Sequence, residues 1–380
     1  MHSRWRVGAL AALLSLSLVA AACGDDGGTD AGGDDGSGNG GNQEQVEAAR
    51  ERAEAMLAEP TEIRALTPLE KAPEPGKTIA WLQCSQSSCG VIGDGVTAAA
   101  EKLGWTVKRI DFRNEDPESI ITAMDQAIDA KPDAIALSGV PSERYEAALE
   151  RAHAAEIPVI TGAVIDEVGG MEGNGIIGLV GGSASYEEGA SIVADWVIAD
   201  SGGDANILAV TADDFPIIKF EIEALQKHVE ENCDDCTVTV LNQAVADIAT
   251  NTPNNVVSAL QENPDIDYVY FGFGDLSRGV APAVAGAGIE AKIVGLAPVN
   301  ENFQRLMDGE EHAWASWATS LIGWGMVDGL ARFFNGEDME PANNQPLTFR
   351  LFTADSPPED ENPIFPTNYE DLYADLWQVG

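Results

Sequence analysis

Four of the five cysteines fall in two close pairs, which are the best-spaced residues in this chain for a covalent link. Cys84 lies five positions before Cys89, and Cys233 lies three positions before Cys236. In an exported protein such pairs indicate disulfides. A zinc site would need four ligands together, whereas these pairs are far apart in the chain and neither has a histidine beside it. The second pair also resembles a redox motif, but it precedes a predicted strand instead of opening a helix.

Residue sets for catalysis are absent from the sequence. The four histidines, His2, His153, His228 and His312, form no recognisable Ser/His/Asp or Cys/His set. The stretch Gly286–Ala291 matches a dinucleotide-binding fingerprint by its letters, but it ends a predicted helix and precedes a strand. Neither an EF-hand spacing nor a His-Glu-x-x-His helix occurs. The sequence therefore predicts a protein that is not an enzyme and needs no metal or cofactor.

Residues 1–22 have the pattern of a bacterial export signal. Arg4 and Arg6 precede the apolar run Val7–Ala22, which is too short and ends too abruptly for a membrane span. The ending VAAAC resembles a lipobox, after which Cys23 would become the acylated first residue. The usual leucine three positions before the cysteine is Ala20, so plain secretion is the alternative. Cys23 is also the cysteine that pairing leaves over.

The formal net charge of −42 is strongly acidic. Such a chain repels nucleic acid and anionic lipid surfaces, so we expect neither as a partner. A solvated acidic surface explains the charge without any ligand, and a cationic ligand remains open because net charge alone does not locate a site.

The segment after the predicted signal has little to bury. Residues 23–42 are nearly all Gly, Asp, Ser, Asn and Thr, which predicts a flexible, extended tether. Residues 43–58 then predict a helix, followed by a proline-punctuated linker to residue 76. We expect this helix to lie against the first lobe of the fold, or else to belong to the stalk.

The stretch Asp133–Ala163 contains a complete strand, helix and strand. Two apolar runs, Ala134–Leu137 and Pro158–Ile160, bracket a helix with apolar residues at helical spacing. Strands that are apolar without alternation are covered on both faces, which predicts a parallel sheet flanked by helices. Ligands of such sheets bind at the carboxyl ends of the strands, and Ser138–Val140 and Gly162–Val164 are two of these ends.

The same rhythm of strands and helices continues from Lys77 to Trp317 and predicts two successive doubly wound halves. A later helix at Leu321–Phe334 is expected to pack back on the first half, and a short strand at Leu347–Phe352 to join the second. Three chain crossings then form a hinge around a closing cleft. The predicted boundaries are 77–184 plus 318–346 for the first lobe, 185–317 plus 347–353 for the second lobe, and 354–380 for the tail.

Several motifs, in this order, resemble the ribose-type (sugar-type) family of solute-binding lipoproteins of bacterial ABC importers. The resemblance covers roughly residues 77–352, and it is carried by the motifs KTIA at 77–80, AEKLGW at 100–105, KPDAI at 131–135 and IPVIT at 157–161.

This resemblance implies an α/β protein with the periplasmic-binding-protein type 1 fold, in which a three-segment hinge joins two Rossmann-like lobes. It also implies a small-molecule ligand between the lobes, an ABC permease in the membrane as partner, a lipid anchor on Cys23, an extracytoplasmic location and a monomer. Repressors of the LacI type share the fold, but this chain has an export signal and no basic helix-turn-helix at its start.

The resemblance also locates ligand contacts. Gly162-Ala163-Val164 stands where ribose-type members usually carry Asp-Arg, and Ala297 stands where they carry Asp. Phe273 and Trp317 replace an Asn and a Gln, and Ser85–Cys89 replaces a pair of stacking aromatics. Each sugar hydroxyl left without a partner costs about 1–3 kcal/mol. A ligand more apolar or aromatic than a pentose, stacked on Phe273 and Trp317, is therefore implied.

Polar side chains at other strand ends complete the candidate site. Their acids could meet a ligand amine or hydroxyls, and we expect the disulfide Cys84–Cys89 to stiffen the loop after the first strand. The alternatives are a sugar-binding protein of the family's default type and a sensor that presents its ligand to a membrane receptor. The candidate ligand-binding residues are Gln83, Ser85, Gln86, Ser88, Ala163, Asp213, Asp214, Asp247, Phe273, Asp275, Ala297 and Trp317.

Overall fold

The computed structural model of the protein describes residues 39–64 and 67–380. The predicted export signal, Cys23 and most of the predicted tether lie outside these residues. In the described part of the chain, none of the helices combines the length and the apolar composition needed to cross a membrane.

The first lobe is built on a five-stranded parallel sheet with the strand order β2-β1-β3-β4-β5. The strands β3, β4 and β5 bury every residue, as unbroken apolar runs predict. The two end residues of β1 are partly exposed, and the edge strand β2 exposes Lys108 and Arg109. The strands are β1 (Thr78–Gln83), β2 (Thr106–Asp111), β3 (Ala134–Ser138), β4 (Val159–Gly162) and β5 (Ile176–Val180).

The second lobe is built on a six-stranded sheet with the order β11-β10-β9-β8-β6-β7. All neighbours are parallel except β11, which pairs antiparallel with β10 and so needs no crossover helix. The strands are β6 (Asn206–Thr211), β7 (Thr237–Asn242), β8 (Tyr268–Phe271), β9 (Lys292–Leu296), β10 (Ala313–Ser316) and β11 (Arg350–Thr353).

Helices cover both faces of the first sheet, so that alternate residues of β1 pack into different hydrophobic cores. Ile79 and Trp81 pack into one core, and Ala80 and Leu82 into the other. The helices are α1 (Asn39–Ala55), α2 (Ser87–Lys102), α3 (Pro117–Ala130), α4 (Glu146–Ala154), α5 (Ser183–Ser201), α6 (Pro216–Asn232), α7 (Thr252–Glu262), α8 (Val280–Gly286), α9 (Asn300–Met307), α10 (Ser320–Asn335) and α11 (Tyr369–Trp377).

The chain passes between the lobes at 181–182, at 317–319 and at 346–349. After the second passage, α10 packs on α2 of the first lobe so closely that neither helix has room for a side chain at the contact. A Cβ added to Gly323 would lie 2.4 Å from the carbonyl oxygen of Ile92. The third passage leads directly into β11, where Arg350 is paired with Ser316 in the second sheet.

Helix α1 packs on α5 of the second lobe, so the expectation that it lies against the first lobe is wrong. Its guanidinium group at Arg52 donates to both carboxylate oxygens of Asp195, at 2.8 and 2.6 Å. His228 Nε2 lies 2.8 Å from the same carboxylate. Burial pushes the pKa of Asp195 up, but the hydrogen bonds from His228 and Arg52 outweigh it and hold that pKa below its ordinary value. The helix also begins at Asn39, four residues earlier than the sequence predicts.

The tail ends in helix α11, which docks on α10 of the first lobe. Trp377 is fully buried and stacks on Trp324 with ring centroids 5.5 Å apart. Its Nε1 donates to Asp328 Oδ1 at 2.9 Å. The two described helices outside the predicted lobes, α1 and α11, are therefore both packed on the lobes.

Candidate functional site

A cavity lies between the two lobes, at the carboxyl ends of strands from both sheets. Its interior volume is about 70 Å³, and about 610 Å³ between the walls is free of protein atoms when space open to solvent is included. Both sheets are parallel where they meet it, so the residues that follow β1, β2, β3 and β4 face those that follow β6, β8, β9 and β10. The lining residues are Cys84, Gln86, Ser88, Cys89, Ile92, Asn114, Ser138, Gly139, Ala163, Tyr186, Phe215, Ile217, Ile218, Phe273, Ala297, Trp317, Thr319 and Ile322.

The first-lobe wall of the cavity carries most of its polar side chains: Gln86, Ser88, Asn114 and Ser138. The first two lie at the start of α2, where Cys84 and Cys89 are joined in a disulfide across Cα atoms 5.6 Å apart. The other two follow and end the strands β2 and β3. These four side chains, with the disulfide beside them, are referred to below as the first-lobe wall.

Helix α2 begins at Ser87, inside the loop that the first disulfide closes. The first backbone N–H groups of a helix have no partner within it. Here the carboxylate of Asp275, from the second lobe, accepts the N–H groups of Ser87 and Ser88 at 3.3 Å each. The partner that stabilises this helix start is distant in sequence, so local spacing could not reveal it.

The second-lobe wall is aromatic and aliphatic. Phe273 meets Phe215 edge to face at 5.9 Å, and Trp317 meets Tyr186 at 5.1 Å. Trp317 is only 2% exposed, and a second ring behind it, Phe349, lies 5.5 Å away. This geometry holds the rings in fixed orientations. The second-lobe wall consists of Tyr186, Phe215, Ile217, Ile218, Phe273, Ala297 and Trp317.

Three alanines around the cavity have left-handed backbone conformations. Ala163 follows β4 with φ 54°, Ala297 follows β9 with φ 51°, and Ala318 follows the cavity residue Trp317 with φ 50°. This conformation costs a residue with a Cβ about 1–2 kcal/mol of conformational free energy. Such strain concentrates at functional sites, and here it occurs at the strand ends that form the cavity.

Two cavity residues carry buried polar atoms that have no hydrogen-bond partner within the described chain. They are Nε1 of Trp317, a donor, and Oδ1 of Asn114, an acceptor. Asn114 is 5% exposed. Because buried polar groups in folded proteins are nearly always paired, these atoms have hydrogen-bonding capacity available for a bound molecule.

None of the described residues that line the cavity carries a formal charge. One carboxyl group, Glu221, lies behind the second-lobe wall, one helical turn beyond Ile217 on α6. Its complete burial raises its pKa well above the ordinary value, although the hydroxyl of Tyr270 donates to it and lowers that pKa in part. Burial therefore favours the neutral form of the Glu221 carboxyl group.

None of the four candidate acids lines the cavity, and three of them hold loops of the second lobe. Asp213 and Asp214 are exposed: the first accepts the Asn242 amide at 3.0 Å, and the second accepts the backbone N–H of Val245 at 3.0 Å. Asp247 accepts the side-chain amide of Asn251 at 2.6 Å. Each carboxylate is used to hold a loop of the second lobe.

Asp275, the fourth candidate acid, joins the two lobes. It is fully buried and accepts a hydrogen bond from the hydroxyl of Ser87, besides the backbone N–H groups of Ser87 and Ser88. Arg278 Nη2 donates to the same carboxylate at 2.8 Å. We call these four residues the interlobe latch, because they connect the start of α2 to the loop after β8.

Two polar candidates on the first lobe also lie away from the cavity. Gln83 Oε1 accepts from Arg109 Nη1 at 3.2 Å, on the side of the edge strand β2. Ser85 donates to Glu115 at 3.3 Å and accepts the backbone N–H of Asn114 at 3.3 Å. Gln83 thus links β1 to β2, and Ser85 holds the loop that carries Asn114.

The structure thus brings six of the candidate residues together around the cavity and adds others that the sequence analysis did not include. Asn114 and Phe215 each follow a strand, so their positions carried a signal that could have identified them. Ser138 lies in a strand end that the sequence had already placed at the ligand-binding edge of the sheet. Tyr186 and Ile218 lie within helices, and only the packing of those helices shows that they reach the cavity. The six candidates are Gln86, Ser88, Ala163, Phe273, Ala297 and Trp317.

The described residues contain no group of His, Cys, Asp or Glu side chains that could hold a metal ion. The second cysteine pair, Cys233 and Cys236, forms a disulfide with Cα atoms 5.4 Å apart at the end of α6. It lies outside the cavity lining.

The sequence profile of the family described as "Periplasmic binding protein domain" matches residues 81–338. No curated protein sequence is significantly similar to the chain. Many solved structures are similar in fold. An ABC sugar transporter subunit from Rhodobacter sphaeroides is 23% identical, with a TM-score of 0.63, over 73% of this chain and 98% of its own.

Two further structures were solved with small molecules bound. A 5-methylthioribose transporter solute-binding protein from Thermotoga lettingae, in complex with 5-methylthioribose, is 17% identical, with a TM-score of 0.65, over 80% of this chain and 99% of its own. A carbohydrate transporter from Acidothermus cellulolyticus, in complex with myo-inositol, is 21% identical, with a TM-score of 0.58, over 72% of this chain and 94% of its own. At these identities the similarity shows the shared fold.

Proposed function

Because the chain belongs to the periplasmic binding protein family and has its type 1 fold, we propose that it captures a small molecule between its lobes and delivers it to an ABC-type import permease. The observation that carries this proposal is the cavity at the facing strand ends of two lobes. A cavity in that position opens and closes as the lobes move about the three chain passages. It needs no catalytic group or cofactor.

The ligand of this proposal is more apolar or aromatic than a pentose. The aromatic and aliphatic second-lobe wall supports it, since hydroxyls placed against that wall would lose their hydrogen bonds to water without replacement. One structural relative was solved with 5-methylthioribose, a sugar with an apolar substituent, and another with myo-inositol. A plain sugar of the family's default type is the competing ligand.

We propose that the protein is a lipoprotein. Acylation of Cys23 would anchor it to the outer side of the cell membrane through the tether that leads to α1. We propose that it works there as a monomer, with the lobe boundaries predicted from the sequence. Delivery to a membrane receptor instead of a permease is the alternative, and co-purification with either membrane partner distinguishes the two.

The experiment is thermal unfolding of residues 24–380 against sugars, polyols, nucleosides, aromatic acids and amines. A ligand at a hundred times its dissociation constant adds about 2.7 kcal/mol of stability and raises Tm by several degrees. Stabilisation by substituted or aromatic solutes supports the proposal. Stabilisation by unsubstituted monosaccharides alone would restore the default sugar ligand, and no stabilisation by any compound would count against ligand capture itself.

A further inference from the structure

The two walls of the cavity differ in chemistry, and this difference deepens the proposed function, on which the inference rests. We infer that the ligand is an uncharged molecule with two unlike ends. A hydroxylated end binds the first-lobe wall, and an aryl or branched alkyl end binds the second-lobe wall. Glycosides with a small apolar aglycone and sugars with an apolar substituent are the chemical class that has both ends.

The hydroxylated end is assigned to the first lobe by the unused polar atoms there. Asn114 Oδ1 is buried without a partner in the described chain and can accept a hydrogen bond. Ser138 is 2% exposed, and the hydrogen-bond partner of its hydroxyl among the described residues is the sulfur of Cys89, at 3.9 Å. Gln86 and Ser88 add further donors and acceptors. A hydroxyl both donates and accepts, so this wall suits it.

The apolar end is assigned to the second lobe by what its wall lacks. Among the lining side chains that the structure describes there, polar atoms are confined to the Tyr186 hydroxyl and to Nε1 of Trp317. The rest of the wall is carbon, including the edge-to-face pair of Phe215 and Phe273. Rings held in this way offer a preformed surface to an aryl or branched alkyl group.

That the ligand carries no net charge is inferred from the cavity lining as a whole. An ionised ligand placed between these walls would lose its hydration without meeting an opposite charge among the described lining residues. The carboxylates that could have met a cation are engaged elsewhere: Asp213 and Asp214 with loops, and Asp275 with the interlobe latch.

The test measures binding to residues 24–380 by calorimetry, with compounds that contain one end or both. The probes are the phenyl β-glycosides of xylose, glucose and galactose, the three parent sugars, phenol, and phenyl glucuronide as the anionic counterpart. We expect at least one neutral glycoside to bind at least about tenfold more tightly than its parent sugar, phenol and the glucuronide.

Two variants then assign each end to its lobe. Ser138→Ala should weaken the glycoside and its parent sugar together, by about tenfold, because it removes a hydrogen bond to the hydroxylated end. Phe273→Leu should narrow the affinity ratio between the glycoside and the sugar, because it alters the surface for the aryl end. The matched control is Phe334→Leu, because Phe334 packs against Trp105 away from the cavity. This variant should leave the affinity ratio between the glycoside and the sugar unchanged.

Several outcomes overturn the inference. If every glycoside binds no better than its sugar, or the glucuronide binds as well as the neutral glycoside, the two-ended neutral ligand is wrong. Phenol binding as tightly as the glycosides would remove the hydroxylated end. If Ser138→Ala narrows the ratio and Phe273→Leu does not, the orientation is reversed. Binding of sugars alone leaves the proposed capture intact and rejects this inference, whereas binding of no probe rejects the ligand class.

Discussion

The substitution Asp275→Asn should weaken ligand binding although Asp275 does not line the cavity. Its carboxylate accepts hydrogen bonds from Ser87 and Ser88 on the first lobe, so it stabilises the closed arrangement specifically. Hydrogen bonds to a charged group contribute about 1.5–3 kcal/mol, and asparagine keeps an acceptor but loses the charge. A loss of about 2 kcal/mol in the closed state corresponds to about 30-fold weaker binding.

The assay is calorimetric titration with the tightest glycoside, beside small-angle scattering of the ligand-free protein. The variant should show a larger radius of gyration, since the lobes separate more often when the latch is weakened. The matched control is Asp213→Asn, because Asp213 bonds only within the second lobe, to Asn242 and to Thr211. The control removes the same charge from the same lobe without touching the lobe contact.

The reasoning is refuted if Asp275→Asn and Asp213→Asn change the affinity equally. If Asp275→Asn instead changes selectivity among the probes without changing the radius of gyration, its carboxylate contacts the ligand directly. In that case the sequence-based prediction of a ligand contact at Asp275 would replace the latch.

Three further predictions concern stability. Burial raises the pKa of Glu311 to about 7, above its ordinary value, so the folded state loses stability as the pH rises from about 4.5 through about 7. The variant Glu311→Gln should therefore show a smaller fall in Tm between about pH 5 and pH 8, and an unchanged dependence of Tm on pH would contradict this. Trp377→Ala should cost about 3–5 kcal/mol in denaturant unfolding because it removes the stack on Trp324, and a loss below about 1 kcal/mol would show that α11 is not firmly docked. Replacing Cys84 and Cys89 by serine should lower the free energy of unfolding by about 2 kcal/mol and weaken ligand binding, since the disulfide no longer restricts the unfolded chain or shapes the first-lobe wall. The control replaces the two cysteines of the other disulfide, and unchanged stability and affinity in the first variant would reject a role in the cavity.

The regular part of the fold was predictable because it depends on local patterns. The unbroken apolar strand Ala134–Leu137 and the matching run at Pro158–Ile160 indicated buried parallel strands, and both lie in the first sheet. Parallel strands end at one edge of a sheet, so Ala163 could be placed near a ligand site from its position, whereas Ala297 was placed there by the family resemblance.

Side-chain partners across the molecule were not predictable in this way. Asp213 and Asp275 have the same chemistry and both follow strands, yet one holds a loop and the other joins the lobes. The difference depends on which donors lie opposite each carboxylate. Asp213 accepts the side-chain amide of Asn242, and Asp275 accepts the backbone N–H groups of Ser87 and Ser88, which are far away in sequence. The site of α1 on the second lobe depends likewise on Asp195, 143 positions from Arg52.

The sequence by itself determined the order of strands and helices, the two parallel halves and the strand ends at which a ligand would bind, because these follow from hydrophobic periodicity along the chain. Only the tertiary structure decided which side chains at those ends face one another. In it, the first lobe contributes a polar wall of the cavity and the second lobe an apolar wall, and the nearby acids hold loops and lobes together. Local spacing sets where a side chain leaves the backbone, whereas its partner is set by the packing of whole lobes.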